Sequence, residues 1–348
     1  MVNKIIEKIK DLILIPYNLL YRALDIPLKP RWLVFEITDA CNSHCLHCSI
    51  WKTPSTPNPL TVSEIEKVLS DKLFSKLERI LLTGGEVTVR PDLKEAILAM
   101  HKVRPRAKIW LSTNGLLPEV AIETVKFALD NNIFLGIGVS LDAAGKEHDQ
   151  IRGTPGNFEK ADKLIHELAI IKKQHPQIME LAIGFTLSDL TSKYTQGFLD
   201  YAKKLNVDTT IALYEEGSFY YNLGNKLTDK EDLIKAASLI PRSHHNEILK
   251  KVLAGKKFKF LCFAMQRFFV LRCNGSVAPC LRRAEMSSGN VREKSPSEIW
   301  HSQEMKKNRE LVKKCDGCLN TWAVGWSFQS YNPLPLLYYS LIKRLTKK

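Results

Sequence analysis

An α/β fold is predicted, a partial (β/α)6 barrel followed by a small cysteine-bearing C-terminal domain of hairpin plus helix. Three observations predict it. Six apolar β-type runs alternate with segments of 3.6-residue periodicity. Helix starts carry capping chemistry, as in Thr61 with Glu64 and Thr228 with Glu231. The cysteines fall in two clusters, one directly after the first β-type run. Strand, helix, strand repeated six times implies right-handed parallel units, short of the eight that close a full barrel.

Residues 1–30 form an N-terminal amphipathic segment. Ile5, Ile6, Ile9, Leu12, Ile13 and Pro16 recur at helical spacing, with Lys4, Glu7, Lys8, Lys10 and Asp11 between them. Such a helix either caps the main domain or lies in a membrane interface. Leu12–Tyr21 is uncharged but too short to span a bilayer, and no small-residue cleavage site follows it.

The barrel occupies residues 31–225. Its strands are expected at Trp32–Ile37, Arg79–Thr83, Lys108–Ser112, Ile133–Leu141, Glu180–Leu187 and Asp208–Tyr214. Its helices are expected at Val62–Leu73, Leu93–Val103, Val120–Leu129, Phe158–Lys172 and Thr195–Leu205. A helical linker over 226–258 follows, with Leu227–Ile240 and Glu247–Lys257. Within 259–325, Phe268–Arg272 and the turn Asn274-Gly275 suggest a hairpin, and Ser295-Pro296-Ser297-Glu298 opens a helix. The tail, 326–348, continues a charge-free aromatic run that begins at Leu319, with Pro333 and Pro335 breaking any helix and Lys343, Arg344, Lys347 and Lys348 at its end. Those aromatics either meet a membrane interface or pack on the C-terminal domain.

A net charge of +14 and a pI near 9.3 ask for an anionic partner. Nucleic acid, an anionic membrane surface and a phosphorylated substrate satisfy that, and the lack of any finger or aromatic-basic platform disfavours the first. Eight cysteines in 348 residues are too sparse for a disulfide scaffold; their clustering points to metal in a reducing, cytoplasmic setting.

Cys41, Cys45 and Cys48 have three and then two residues between them, on the loop after the first strand. Soft thiolates at this spacing suit zinc, completed by His44 or His47, or an iron–sulfur cluster with one metal position open. Barrel chemistry gathers at the carboxyl ends of strands, where this loop falls. Gly84-Gly85-Glu86 ends the second strand; the glycines free the backbone for close approach and the carboxylate can anchor an ammonium. Ser112 to Gly115, Ser140-Leu141-Asp142 and Arg152 lie at the same face. Near the C-terminus, Cys262, Cys280 and the pair Cys315-x2-Cys318 make a closed tetrathiolate site, zinc ribbon or iron–sulfur. Cys273 is left over, as a replacement ligand, a hydrogen-atom donor or a buried thiol.

Together these motifs resemble the radical S-adenosylmethionine (SAM) enzymes, over Trp32 to about Tyr214. The resemblance implies a [4Fe–4S] cluster held by Cys41, Cys45 and Cys48, with SAM on the fourth iron. Its one-electron reduction, by a flavodoxin or ferredoxin type of partner, implies a 5′-deoxyadenosyl radical that abstracts a substrate hydrogen. Gly84, Gly85 and Glu86 are then assigned to the methionine amino group and His47 to the adenine. Ser140 and Arg152 go to the ribose or carboxylate. Cys262, Cys280, Cys315 and Cys318 resemble the shortened, or twitch, form of the SPASM extension, implying an auxiliary [4Fe–4S] cluster.

The substrate is unidentified. With no peptide-docking domain recognisable, a small molecule, sugar or lipid-linked compound leads and a peptide or protein is the alternative. A non-catalytic zinc or iron–sulfur interaction protein is the competitor of another class. Asp189, Tyr214, Glu215 and Glu216, at strand ends five and six, are the candidates for proton transfer beside Cys273. Peripheral contact with the inner face of an anionic membrane is one of the two accounts of both chain ends, packing on the core being the other.

Overall fold

One eight-stranded sheet carries the fold in the computed structural model, which describes residues 15–215, 217, 222, 230–256, 258–315, 318–332 and 334. Its strands are β1 (Trp32–Thr38), β2 (Arg79–Gly84), β3 (Lys108–Thr113), β4 (Leu135–Ser140), β5 (Met179–Leu187), β6 (Asp208–Leu213), β7 (Phe268–Leu271) and β8 (Val277–Ala278). They lie in the order β6-β5-β4-β3-β2-β1-β7-β8, parallel from β6 to β7, with β8 antiparallel. The helices are α1 (15–23), α2 (Val62–Ser70), α3 (Leu93–Val103), α4 (Pro118–Asp130), α5 (Glu147–Arg152), α6 (Asn157–Gln174), α7 (Thr195–Leu205), α8 (Lys230–Leu239), α9 (His244–Leu253), α10 (Pro296–Trp300), α11 (Gln303–Lys313) and α12 (Thr321–Tyr331).

Local chemistry explains where elements start and stop. Capping boxes at Thr61/Glu64 and Ser295/Glu298 open α2 and α10. The expected helix to Leu73 stops at Ser70, because the Asp71 side chain accepts from Leu73 N and starts a tighter 3-10 turn. Pro118 begins α4 two residues earlier than the periodicity suggests. Ser243 caps α9 through Asn246 N, so that helix starts before Glu247 and ends ahead of Gly255. Thr228 lies outside the described residues, as do Ile5 to Ile13.

β1 is the axis of the sheet. Every one of its residues is buried between β2 and β7, including Glu36, whose carboxylate accepts from Arg272 at 2.6 and 3.2 Å. The C-terminal hairpin is therefore joined to the barrel edge as part of the same sheet. Phe269 and Trp300 carry the core on from Trp32 and Phe74 into this region.

Part of the aromatic run packs within the chain, one of its two expected accounts. Trp322, Trp326, Phe328 and Tyr331 belong to α12, which runs through the expected domain boundary at 325/326 and ends just before Pro333. Trp326 stacks on Trp32 at 5.5 Å, and Phe328 meets His244, Phe258 and Phe260. Packing within the chain, not a membrane interface, accounts for these four; the run is free of charge because it is core. Tyr338, Tyr339 and the basic end lie outside the described residues. No described helix is long and apolar enough to cross a membrane.

Trp326→Ala should destabilise the protein by about 3–5 kcal/mol, read as a lower denaturant midpoint, because it removes the ring that docks α12 on β1.

Candidate active site

The carboxyl ends of β1 to β6 surround a cavity of about 290 Å³. Alternate strand positions line its wall, among them Trp110 and Ser112 of β3, Gly184 and Thr186 of β5, and Thr210 and Ala212 of β6. The cysteine loop, the end of β2 and Arg152 form one rim, and Asn320, Thr321 and Trp322 close it from α12. Trp110 and Trp322 meet edge to face at 6.4 Å across it.

The glycines of the second strand end serve the cysteine loop. Gly85 N donates to Thr38 O and Glu86 N to Ala40 O, both at 2.8 Å. A Cβ on Gly84 would sit 1.9 Å from the Thr38 carbonyl oxygen, and one on Gly85 would sit 2.0 Å from that of Ala40. Only glycine lets β2 end so close to the chain that carries Cys41. Glu86 itself is buried and accepts from Thr88 N, Thr88 Oγ1, Thr113 Oγ1 and Asn114 N at 2.6–3.0 Å. Burial raises its pKa against those donors. Its carboxylate thus ties β2 to β3 while lining the cavity.

Asp142, fully buried after β4, holds a second knot. Its Oδ2 lies 2.7 Å from Arg152 Nη2 and 3.8 Å from His47 Nε2, and its Oδ1 accepts from Thr186 N at 3.0 Å. Arg152 Nη1 points at Cys45 Sγ, 3.8 Å away, and the Arg152 carbonyl accepts from Ser43 Oγ and His44 N. Burial opposes the Arg152 charge, but Asp142 and Cys45 outweigh it and hold the guanidinium above its usual range. Burial opposes the Asp142 charge too, yet Arg152 keeps that carboxyl below its usual range. Burial lowers His47 and His148 to about 4, so both are neutral; His148 Nδ1 accepts from Asp142 N.

The three thiols face this cavity with His47, Gly84, Gly85, Glu86, Ser140 and Arg152. Burial pushes Cys41 up to about 12 and Cys48 up to about 11, so ionising them calls for positive charge that metal ions supply. His44 instead packs edge-on against Trp51, and His47 turns to Asp142. Among the described residues no three His, Cys, Asp or Glu close around a single ion. The donor set fits a cluster of several irons spread over the loop, with SAM in the adjoining cavity. Cys262, Cys280, Cys315 and Cys318 form the second thiol group, electrostatically coupled to one another. Burial pushes Cys262 up to about 12, and backbone N–H groups of Ala264, Arg282, Arg283 and Asn320 face the sulfurs. This all-thiol, N–H-lined set suits an iron–sulfur cluster.

Glu215 links the two groups. It lines the cavity, accepts from Leu319 N at 2.5 Å beside Cys318, and burial raises its pKa. Asn222, buried, donates to Glu215 O and His47 O. Tyr214 also lines the cavity. Asp189 is not among the lining residues, and Glu216 lies outside the described residues. Cys273 is buried just after β7, where its Sγ donates to Thr56 Oγ1 at 3.5 Å, and it is not among the residues lining the cavity. Sequence reasoning placed Asp142 at this face without a role, and passed over Asn222, Trp110 and Trp322 as site residues. Trp110 was open to detection by the inward register of β3.

A parallel barrel with a trithiolate loop after β1 and a second thiol group in the C-terminal region defines a metallocluster enzyme. The radical SAM superfamily model matches residues 35–173, and that of SPASM, an iron–sulfur cluster-binding domain, matches 262–319. The chain belongs to the radical SAM superfamily and carries a C-terminal SPASM domain. It is a radical SAM enzyme, with SAM and iron–sulfur clusters as cofactors. The AdoMet-dependent heme synthase of Methanosarcina barkeri is 25% identical over 330 residues, 83% of this chain and 88% of that protein. Mycofactocin maturase MftC of Mycobacterium tuberculosis is 33% identical over 151 residues, 42% of this chain but only 36% of that one. Streptococcus suis SuiB bound to S-adenosylmethionine shares the fold at a TM-score of 0.63 and 18% identity, over 84% of this chain and 73% of its own.

Every contact to Glu86 is from a donor, so Glu86→Gln sets an amide N–H₂ against donors. Unfolding should become easier by about 1–3 kcal/mol, and less SAM should be cleaved per cluster. A second expectation concerns protons. The folded pKa of about 4 for His47 and His148 lies below the ordinary 6.5. Their contribution to stability is therefore complete above pH 6.5 and is lost as pH falls toward 4. Imidazole NMR signals of these two should stay unshifted from about pH 7.5 to about 5.5, where ordinary histidines titrate.

Proposed function

We propose that this radical SAM enzyme abstracts hydrogen from a small hydroxylated substrate, a sugar or lipid-linked compound in type, held in the barrel cavity under Trp322. The enclosure carries this reading. The cavity lies between the strand ends and α12, a setting that suits a compact substrate portion. Ser112, Thr186 and Thr210 offer hydroxyls, and Trp110 and Trp322 offer apolar ring surface, a combination that suits a hydroxylated ring.

When bound, the [4Fe–4S] cluster and SAM supply the hydrogen-abstracting radical. Cys41, Cys45 and Cys48 are the residues assigned to that cluster, and Cys262, Cys280, Cys315 and Cys318 to the auxiliary one. The protein's own part is to orient and to exclude water. Arg152 and Asp142 hold the cysteine loop, Glu86 fixes the β2 and β3 ends, and His47 offers a neutral ring to the adenine. Of the proton-transfer candidates, Tyr214 and Glu215 face the cavity, and Glu215, raised by burial, is the group suited to hold a proton there. A flavodoxin or ferredoxin supplies the electron. The same reading makes the protein cytoplasmic and peripheral to an anionic membrane, which the net charge of +14 supports.

A peptide substrate is the second reading, favoured by one observation: SuiB, of the same fold, has been solved with its precursor peptide SuiA.

Anaerobic reconstitution should load about eight irons, as two [4Fe–4S] clusters require, and reductant with SAM should release 5′-deoxyadenosine. Cys41→Ala should abolish release, while Cys280→Ala should lose about half the iron. Sugars and lipid-linked compounds should raise the yield. A yield raised by peptides alone would move the assignment to the second reading, and about four irons in the parent protein would remove the auxiliary cluster.

A further inference from the structure

Helix α1 is inside out. Asn18 is 1% exposed; its Nδ2 donates to Ser330 O at 2.7 Å and its Oδ1 accepts from Arg267. Arg22 turns the same way, with Nε donating to Cys262 O at 3.2 Å and its guanidinium over the Phe263 ring. The apolar residues point outward. Tyr17, Leu20 and Leu24 are 42%, 55% and 59% exposed. At 3.6 residues per turn these three positions share one face. A surface helix of a globular protein does the reverse and buries its apolar stripe. Here the polar side is buried and hydrogen-bonded, so the apolar side is not core turned out by accident. Leu261, next to the Cys262 that Arg22 holds, and Leu334, four residues past Ser330, are also exposed.

We infer that this face of α1 seats the protein on a bilayer bearing anionic lipid. The occupant follows from charge. The chain carries +14, lysines 4, 8 and 10 lie among the N-terminal isoleucines, and Lys343, Arg344, Lys347 and Lys348 follow Leu334 without an acid between them. Apolar side chains flanked by lysine and arginine are matched by acyl chains beneath anionic headgroups. A second copy of the chain brings the same positive charge and is repelled. The inference rests on the peripheral reading above and adds the face that carries it.

The test is cosedimentation of the reconstituted full-length holoenzyme with vesicles of phosphatidylglycerol and phosphatidylcholine, and with phosphatidylcholine alone. The protein should pellet with the anionic vesicles and less so as salt rises from about 50 to about 300 mM. Leu20→Glu/Leu24→Glu should lower binding at least about tenfold, since burying one leucine is worth about that factor. Leu20→Ser/Leu24→Ser should fall between, and both variants should still cleave SAM. Undiminished binding by both variants would overturn the assignment to α1 and leave the peripheral reading standing. No binding by the parent protein at low salt would end both. A parent dimer that both variants dissolve, without vesicle binding, would make a second copy the occupant and overturn the lipid.

Discussion

The buried charge of Arg152 is the constraint on which the site depends. A guanidinium at the bottom of a rim, almost without solvent, stands only because Asp142 Oδ2 lies 2.7 Å away and the Cys45 sulfur faces its other nitrogen. Burying such a pair brings little net stability, but removing one partner leaves an uncompensated charge worth about 3–5 kcal/mol. Its value here is geometric. Asp142 leaves β4, Arg152 ends α5, and the Arg152 carbonyl receives Ser43 Oγ and His44 N, so one residue fixes the cysteine loop through both side chain and backbone. The loop follows β1, which is itself clamped by β2 and β7. Position in the barrel is thereby passed to three sulfurs on an otherwise irregular segment.

The same logic extends to the second thiol group. Glu36 and Arg272 lock β7 beside β1, which sets where the hairpin carrying Cys280 begins. On the other side Glu215 receives Leu319 N next to Cys318, and Asn222 spans from Glu215 to the His47 carbonyl. A continuous run of hydrogen bonds connects the two cysteine loops along the cavity wall. The spacing between the loops is thus a property of the chain's own polar contacts.

Much of this was legible in the sequence, for identifiable reasons. Apolar β-type runs marked all six barrel strands because each strand buries at least part of its length and is bounded by turn residues. Cysteine spacing marked both thiol groups because ligands on short loops must be near in sequence. What pattern does not carry is partnership over distance. Glu86 reads as an anchor for an ammonium, and the motif does not show the four donors its carboxylate accepts from, two of them nearly thirty residues away. Cys273 reads as a replacement ligand, a hydrogen-atom donor or a buried thiol, and its burial beside Thr56 fits the last. The tail reads equally as interfacial or as packed, because aromatic residues without charge look alike in a core and in a lipid boundary; the stacking of Trp326 on Trp32 separates the two for α12.

That stacking also bears on chemistry. Trp322 stands one turn before Trp326 on α12, so docking Trp326 on β1 places Trp322 over the cavity against Trp110. The barrel wall and its cover are then two parts of one hydrophobic contact that begins at the first residue of β1. A radical abstracting hydrogen needs a site shielded from competing donors and solvent. An open six-strand barrel does not provide that alone, since its mouth faces outward. The C-terminal domain brings thiols, and α12 brings the closing ring, from adjacent stretches of chain. Closure and cluster position are therefore coupled: a change that lifts α12 moves Cys318 and opens the cavity together, because Leu319 and Asn320 join the two.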